Sequence, residues 1–248
     1  MKKWIIGFLA IPFVLLVWTV VSTQYPSYIF PSPIDVWNEA VRELSKGEIQ
    51  AHIVISLKRL AIGFLSASCL AFLVGILAGA SKTFRHFITP LVSFFQATPP
   101  MAWAPMLIIL IGLGDGPMIA VIIIASFFPI LINVIQGMNQ IPESHIRAAK
   151  SLGAKKWKLA YYVYLPEIFP AAISGIYIGF AISWRSLVAA EMIGGNAGIG
   201  YFIAFNGQIG NAASVLLGII IIGFLALVMD YLLLKPIHRR YAGWASRG

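Results

Sequence analysis

The sequence predicts an all-α integral membrane protein with about six transmembrane helices, and three observations carry that expectation. Uncharged apolar runs recur along the chain, each about as long as a bilayer is thick, roughly 20 residues. Only 11% of the 248 residues are charged and 59% are hydrophobic, with a mean hydropathy of +0.86. Soluble domains carry about 25% charged residues. None of the runs has the polar alternation of a porin strand, so helices must satisfy the backbone hydrogen bonds.

The six runs extend over about Trp4 to Ser22, Leu60 to Ala80, Phe87 to Leu113, Pro117 to Met138, Ile168 to Ile193 and Ala212 to Leu234. They divide the chain into an N-terminal membrane helix over 1–22, an outer loop over 23–55, a membrane core over 56–234 and a tail over 235–248. The polar connection 139–167 lies within the core. Met1-Lys2-Lys3 before an apolar stretch also fits a secretory signal, but the stretch is long and no small-x-small site closes it cleanly. It is expected to remain as the first membrane helix.

Orientation follows from the basic residues. With the amino terminus in the cytoplasm, Lys2, Lys3, Lys82, Arg85, Arg147, Lys150, Lys155, Lys156, Lys158, Lys235, Arg239, Arg240 and Arg247 all fall inside, and so does the carboxyl terminus. Arg42, Lys46, Lys58 and Arg59 fall on the outer side, which also holds the acids Asp35, Glu39, Glu43, Glu48 and Asp115. The net charge of +9 is then explained by inner loops beside anionic lipid, without nucleic acid. Cys69 lies within the second run and is expected to pack there, and the four His residues have no ligand-like spacing, so no metal site is expected.

In the outer segment, Ser32-Pro33 opens an amphipathic helix carrying Val36, Trp37, Ala40, Val41 and Leu44 at helical spacing, with Asp35, Glu39, Arg42 and Glu43 elsewhere around it. It is placed along the outer surface, as a cap on the bundle or a contact for a receptor. The third run contains Pro90, Pro99, Pro100 and Pro105, which forbid a straight helix. Broken backbone is tolerated in a membrane where it is buried in protein or lines a wet cavity. That favours a transport pathway; a kink for packing alone is the plainer alternative. Gly75-x-x-x-Gly79 and Gly175-x-x-x-Gly179 permit close helix approach and say little about function.

Arg185 and Glu191 lie inside the fifth run, where a charge facing hydrocarbon costs several kcal/mol. Six residues apart on a helix they point about 120° away from each other, so each needs its own partner. Glu191 precedes Gly194-Gly195-Asn196-Ala197-Gly198-Ile199-Gly200, a turn-forming stretch. This corner serves either a pathway or gate, or a structural role in which the carboxylate accepts hydrogen bonds from that loop.

The polar connection between the fourth and fifth runs reads as a helix–turn–helix. Pro142 and Glu143 suit a helix start, Ile146, Ala149 and Leu152 follow at i, i+3 and i+6, and Gly153 supplies the stop. A second helix follows with Trp157, Ala160 or Tyr161, and Tyr164 on one face and Lys155, Lys156 and Lys158 at its start, ended by Leu165-Pro166. Small alanines between two short helices suit insertion into a groove of another protein; a loop that binds lipid headgroups is the alternative.

The pattern Ala148-Ala149, three residues, Gly153, nine residues, Val163-x-Leu165-Pro166 resembles the cytoplasmic loop of ABC-importer membrane subunits, written EAA-x3-G-x9-I-x-LP. Arg147 stands at the motif's acid and Val163 at its isoleucine. Phe30-Pro31-Ser32-Pro33, the stretch from Ser56 to Phe64, that from Pro99 to Pro105, Trp184 to Glu191 and Gly198-Ile199-Gly200 are similar to the nitrate, sulfonate, taurine and bicarbonate branch. The resemblance implies a type I ABC-importer permease fold with a cytoplasmic coupling helix in a bacterial inner membrane. It implies ATPase-coupling residues at Glu143, Arg147, Ala148, Ala149, Leu152, Gly153, Leu165 and Pro166. Pro99, Pro100, Trp103, Trp184, Arg185 and Glu191 become candidates for the pathway or gate.

The implied partners are an ATPase subunit dimer that carries ATP and Mg, a second permease copy, and a periplasmic or lipid-anchored solute-binding protein. The cargo would be an oxyanion such as a sulfonate, taurine or nitrate, or else a thiamine precursor, riboflavin or aromatic acid. The chain has no G-x4-GK[ST] phosphate loop of its own, so ATP hydrolysis is expected elsewhere. A secondary transporter would be expected to show a relay of intramembrane acids or inverted repeats, and an enzyme a nucleophile–base or metal constellation. Neither pattern is evident in the sequence.

Overall fold

The computed structural model describes residues 2–236, with side chains throughout except at 2–9, Lys156 and Leu233. The described helices are α1 (Lys2–Ser22), α2 (Pro33–Lys46), α3 (Glu48–Ala80), α4 (Lys82–Ala97), α5 (Ala104–Ile111), α6 (Asp115–Gln140), α7 (Glu143–Ser151), α8 (Lys156–Leu159), α9 (Leu165–Gly194), α10 (Ile199–Gln208) and α11 (Ala212–Met229). Four described helical stretches are long and apolar enough to cross a membrane: Glu48–Ala80, Asp115–Gln140, Trp157–Gly194 and Ala212–Leu232. Lys82–Ala97 and Pro100–Ile111, bent by 92° at their junction, together form a fifth candidate span. The described apolar part of α1 is Ala10–Ser22. Arg239, Arg240 and Arg247 lie outside the described residues.

The bundle is organised around α6, whose Met118, Val121, Ile122, Ile130, Leu131 and Val134 are fully buried. Lipid tails are as apolar as leucine, so helices gain from close backbone approach rather than from hiding large side chains. On α3 the small residues Gly63, Ala67, Ala71, Gly75 and Ala78 are buried, while Leu65, Leu73 and Leu77 are exposed. A Cβ added at Gly75 would stand 2.5 Å from Val134 Cγ1, and one at Gly175 of α9 would stand 2.8 Å from Asn133 Cβ. Cys69 lies on the exposed face of α3 and does not pack in the core as expected.

The break in the third run is local to two of its four prolines. Pro90 stays inside α4, whereas Thr98 and Pro99 are extended and Pro100 opens a 3-10 turn over Pro100–Trp103. Pro105 sits in the first turn of α5, where a missing N–H costs no helical bond.

Two expectations need correction, at the second membrane helix and at Leu165-Pro166, and α2 shows which of its faces turns inward. The second membrane helix begins at Glu48, not near Leu60, so Lys58 and Arg59 are helical and Arg59 is buried rather than flanking the bundle. α2 forms with a Ser32–Asp35 capping box, but its apolar stripe faces outward: Ile34, Trp37, Val41 and Leu44 are exposed while Glu39 and Glu43 are buried with Val36. The inward face holds because Glu39 accepts hydrogen bonds from Asn211 Nδ2 at 3.0 Å and from the Ser214 hydroxyl at the start of α11. Leu165-Pro166 does not end a helix. A π turn over Ala160–Tyr164, in which Leu165 N–H donates to Ala160 O, shifts the bonding register just before Pro166 and keeps the chain helical from Trp157 to Gly194.

Candidate functional site

Three sites gather polar groups in this apolar chain. The first is the connection from α6 to α9. α7 ends in a Schellman motif: Ala154 N–H donates to Ala149 O at 3.0 Å and Gly153 N–H to Lys150 O at 2.9 Å. Gly153 has φ +80°, a conformation that side chains strain. Ile146 and Ala149 turn inward and pack beside the buried Ile141, Leu159 and Val163. Leu152 does not continue that face and is 89% exposed, as is Trp157 at 88%. Arg147 and Ala148 are exposed, and the Arg147 guanidinium makes an open ion pair with Glu143 at 3.4 Å. Such a pair contributes about 0–1 kcal/mol. His145 Nδ1 meets Glu167 Oε1 at 2.7 Å and ties α7 to the start of α9. Leu165 and Pro166 lie exposed beside this tie. Of the sequence-derived coupling residues, Ala149 is the inward anchor and the others line the open face or shape the turn.

The second site is a buried ionic cluster that sequence reasoning met only through Glu191. The Glu191 carboxylate, fully buried, accepts from Arg59 Nη1 at 2.9 Å, from the Ser56 hydroxyl at 2.9 Å and from Gly200 N–H at 3.0 Å. Arg59 also donates to Ala197 O at 2.6 Å and to Asp115 at 2.7 Å. Ser56 in turn accepts from Ile199 N–H at 2.9 Å. α3, α6, α9 and the glycine-rich loop are thereby joined at one end of the bundle. The loop can approach because a Cβ at Gly198 would lie 2.2 Å from Glu191 Oε1. Arg59 and Ser56 gave one usable signal: a polar i, i+3 pair in the stretch before the second apolar run. Asp115 gave none beyond its place in a turn.

The third site is a cavity of about 510 Å³ beside the α4–α5 bend, lined by Gln96, Thr98, Pro100, Asn133, Gln136 and the flank of α9 at Ile178 and Ile182. Phe95 stacks on Phe128 with ring centroids 4.5 Å apart and packs against Trp103 at 5.4 Å, which holds the bend on α6. Trp103 Nε1 donates to Thr98 Oγ1 at 3.4 Å. Pro100 lines the cavity and Pro99 is exposed beside it. The structure thus gathers Pro99, Pro100 and Trp103, but not the three α9 candidates with them. Trp184 is buried in the core with its indole N–H unpartnered, and Glu191 belongs to the ionic cluster. Arg185 is exposed, and makes no hydrogen bond or ion pair among the described residues.

Residues 71–235 match the family described as the binding-protein-dependent transport system inner membrane component. The chain belongs to this family. It is 38% identical over 202 residues to a putative ABC transporter permease of Methanocaldococcus jannaschii, covering 81% of this chain and 75% of that one. It is 31% identical to the taurine transport system permease TauC of Escherichia coli, over 92% of this chain and 84% of that protein. The nitrate import permease NrtB of Synechococcus elongatus is 33% identical, with 92% and 89% covered. In structure the chain is similar to the inward-facing MetNI methionine ABC transporter, with a TM-score of 0.67 at 17% identity over 79% of this chain and 98% of that one. That likeness concerns the fold. This permease is thus a multi-pass membrane subunit of the nitrate, sulfonate and taurine branch of ABC importers, which work with ATPase and binding-protein partners.

Proposed function

We propose that this permease forms the translocation pathway for a small oxyanion of the sulfonate, taurine or nitrate kind, delivered by a periplasmic or lipid-anchored binding protein. The names of its taurine and nitrate relatives support that class of cargo. Energy comes from an ATPase subunit dimer that binds ATP and Mg, while this chain contributes no catalytic group. A second copy of the chain closes the pathway across the open cavity. Both termini lie in the cytoplasm of a cell whose inner membrane the bundle spans; Arg147, Lys150, Lys155 and Lys158, clustered in one connection, support that orientation.

The observation that carries this reading is the two-sided construction of α7. Its outer side presents Glu143, Arg147, Ala148 and Leu152 to a partner, with Leu165 and Pro166 alongside, and its inner side is keyed to the bundle by Ile146, Ala149 and the His145–Glu167 contact. A push on α7 reaches the continuous helical stretch Trp157–Gly194, which ends in α9 and passes Trp184, Arg185 and Glu191. The bend at Pro99, Pro100 and Trp103 stands across the cavity from α9. ATP can drive such a pathway only by binding its two states with different affinity.

Gly153→Asp tests the reading, because it strains the turn without touching a membrane helix. The variant is expected to insert normally and to lose ATPase copurification or transport. Wild-type coupling in that variant would remove α7 from the coupling role.

A further inference from the structure

We infer that α2 is an interfacial anchor: its outward apolar stripe lies in the outer leaflet of the lipid bilayer and holds the start of α11 at the membrane surface.

The stripe is narrow and regular. Ile34, Trp37, Val41 and Leu44 stand at i, i+3, i+7 and i+10, within an arc of about 80° around the helix. All four are exposed, Ile34 and Trp37 at 71% and 70%. Single exposed apolar side chains are ordinary on a protein surface, but a contiguous row of them marks a contact. The opposite flank is already occupied. Val36, Glu39 and Glu43 are buried there, and Glu39 accepts hydrogen bonds from Asn211 and Ser214 at the start of α11.

Depth decides what covers the stripe. The Trp18 indole, one turn before the end of α1 at Ser22, donates to Pro31 O at 3.0 Å. Tyr28, Ile29 and Phe30 line a cavity together with Val215 and Leu216, about one turn into α11. The chain therefore enters α2 level with the first turn of a helix that is long and apolar enough to cross the membrane. Because α2 packs on α11 through its polar flank, the stripe points away from the bundle at the depth of the bilayer interface. Tyr25 and Tyr28 are exposed beside it, and with Trp37 they supply the aromatic side chains that favour a membrane–water boundary.

The chemistry of the helix selects apolar insertion over headgroup attraction. Asp35, Glu39 and Glu43 outnumber Arg42 and Lys46, and both bases are engaged by Glu39 or Glu43. A helix with no surplus of basic charge binds a membrane through buried apolar area, so zwitterionic lipid suffices. A protein cover fits the stripe less well. Four side chains on one helix fall short of the roughly 20–30 residues a side that a stable protein interface uses.

The experiment uses the permease with its ATPase in phosphatidylcholine nanodiscs. In a Cys69→Ala background, a nitroxide is attached singly at Ile34→Cys, Trp37→Cys, Val41→Cys and Leu44→Cys, with Asn38→Cys and Lys46→Cys as references outside the stripe. Collision with oxygen, which concentrates in lipid, is compared with collision with a water-soluble nickel chelate. The oxygen-to-nickel ratio is expected to be at least about threefold higher at the four stripe positions than at the references. In the unsubstituted complex, phosphatidylcholine carrying a diazirine in its upper acyl chain is expected to cross-link to residues 34–44. That arm carries no substitution, so it does not depend on the folding of any variant.

Nickel-dominated collision along the stripe, or no lipid cross-link to residues 34–44, would put α2 in water and overturn the proposal. Shielding of the stripe from both reagents would give it a protein cover and overturn the proposal as well. Shielding in the complex alone would identify the second copy, and shielding that appears only when the binding protein is added would identify that receptor. The import reading stands under each of these outcomes.

Discussion

Arg59 and Glu191 form an ion pair of 2.9 Å between side chains that are 2% and 0% exposed, across 132 positions of sequence. Each charge is tolerable only because the other is there, together with Ser56, Gly200 N–H and the half-exposed Asp115. Breaking a buried pair by removing one partner costs about 3–5 kcal/mol, because the remaining charge stays buried. Arg59→Met is therefore expected to lower stability in detergent by about that amount, measured by denaturant unfolding. The double variant Arg59→Met, Glu191→Leu should cost clearly less than the sum of the two single changes. Simple additivity would show that the two groups do not depend on each other. Asp115→Asn should cost under about 1 kcal/mol, since that partner is exposed.

Gly198 and Gly112 both have left-handed backbones, φ +107° and +91°, but only one is crowded. A Cβ at Gly198 meets the Glu191 carboxylate, whereas one at Gly112 meets nothing within 4 Å. Gly112→Ala should cost about 1–3 kcal/mol for backbone strain alone. Gly198→Ala carries the same strain and also displaces the carboxylate, so its loss in unfolding free energy should be clearly larger. Equal losses would show that the loop does not press on Glu191.

Glu39 supplies a pH test outside the membrane spans. Burial opposes its ionisation, but hydrogen bonds from Ser214 and Asn211 and the nearby Arg42 outweigh that and hold its carboxyl below the ordinary glutamate range. A depressed folded pKa means that the contribution is complete above the unfolded value, about 4.3, and is lost as pH falls through the folded one. The contact of α2 with α11 should thus be insensitive to pH near neutrality and loosen only under acid. Hydrogen exchange of α2, corrected for the intrinsic rate, reads this. Glu39→Gln should flatten the response, and an unchanged acid transition in that variant would assign it to another group.

Much of this architecture is legible in the sequence because lipid imposes it. Apolar runs mark spans, and adjacent prolines at 99 and 100 mark the bend. The turn at Gly153 is equally local, since a Schellman motif is written in a few consecutive residues. What was not legible depends on contacts between distant segments. Arg59 looks like a flanking charge until α9 supplies Glu191. The amphipathic rhythm of α2 is visible, but which face turns inward is decided by Ser214 and Asn211, which lie far along the chain. The π turn that carries the helix through Pro166 follows from a register choice, which local propensity does not encode.

ATP-dependent uptake in a defined vesicle tests the division of labour most sharply. The permease should be reconstituted alone, with its ATPase, and with ATPase and binding protein together, and uptake of nitrate or methanesulfonate followed with and without ATP. The structure and its family predict concentrative uptake only in the full mixture with ATP, abolished by Gly153→Asp at unchanged permease incorporation. Concentrative uptake by the permease alone, driven by an ion gradient and indifferent to ATP, would contradict the assignment of this chain as the pathway subunit of an ATP-driven importer.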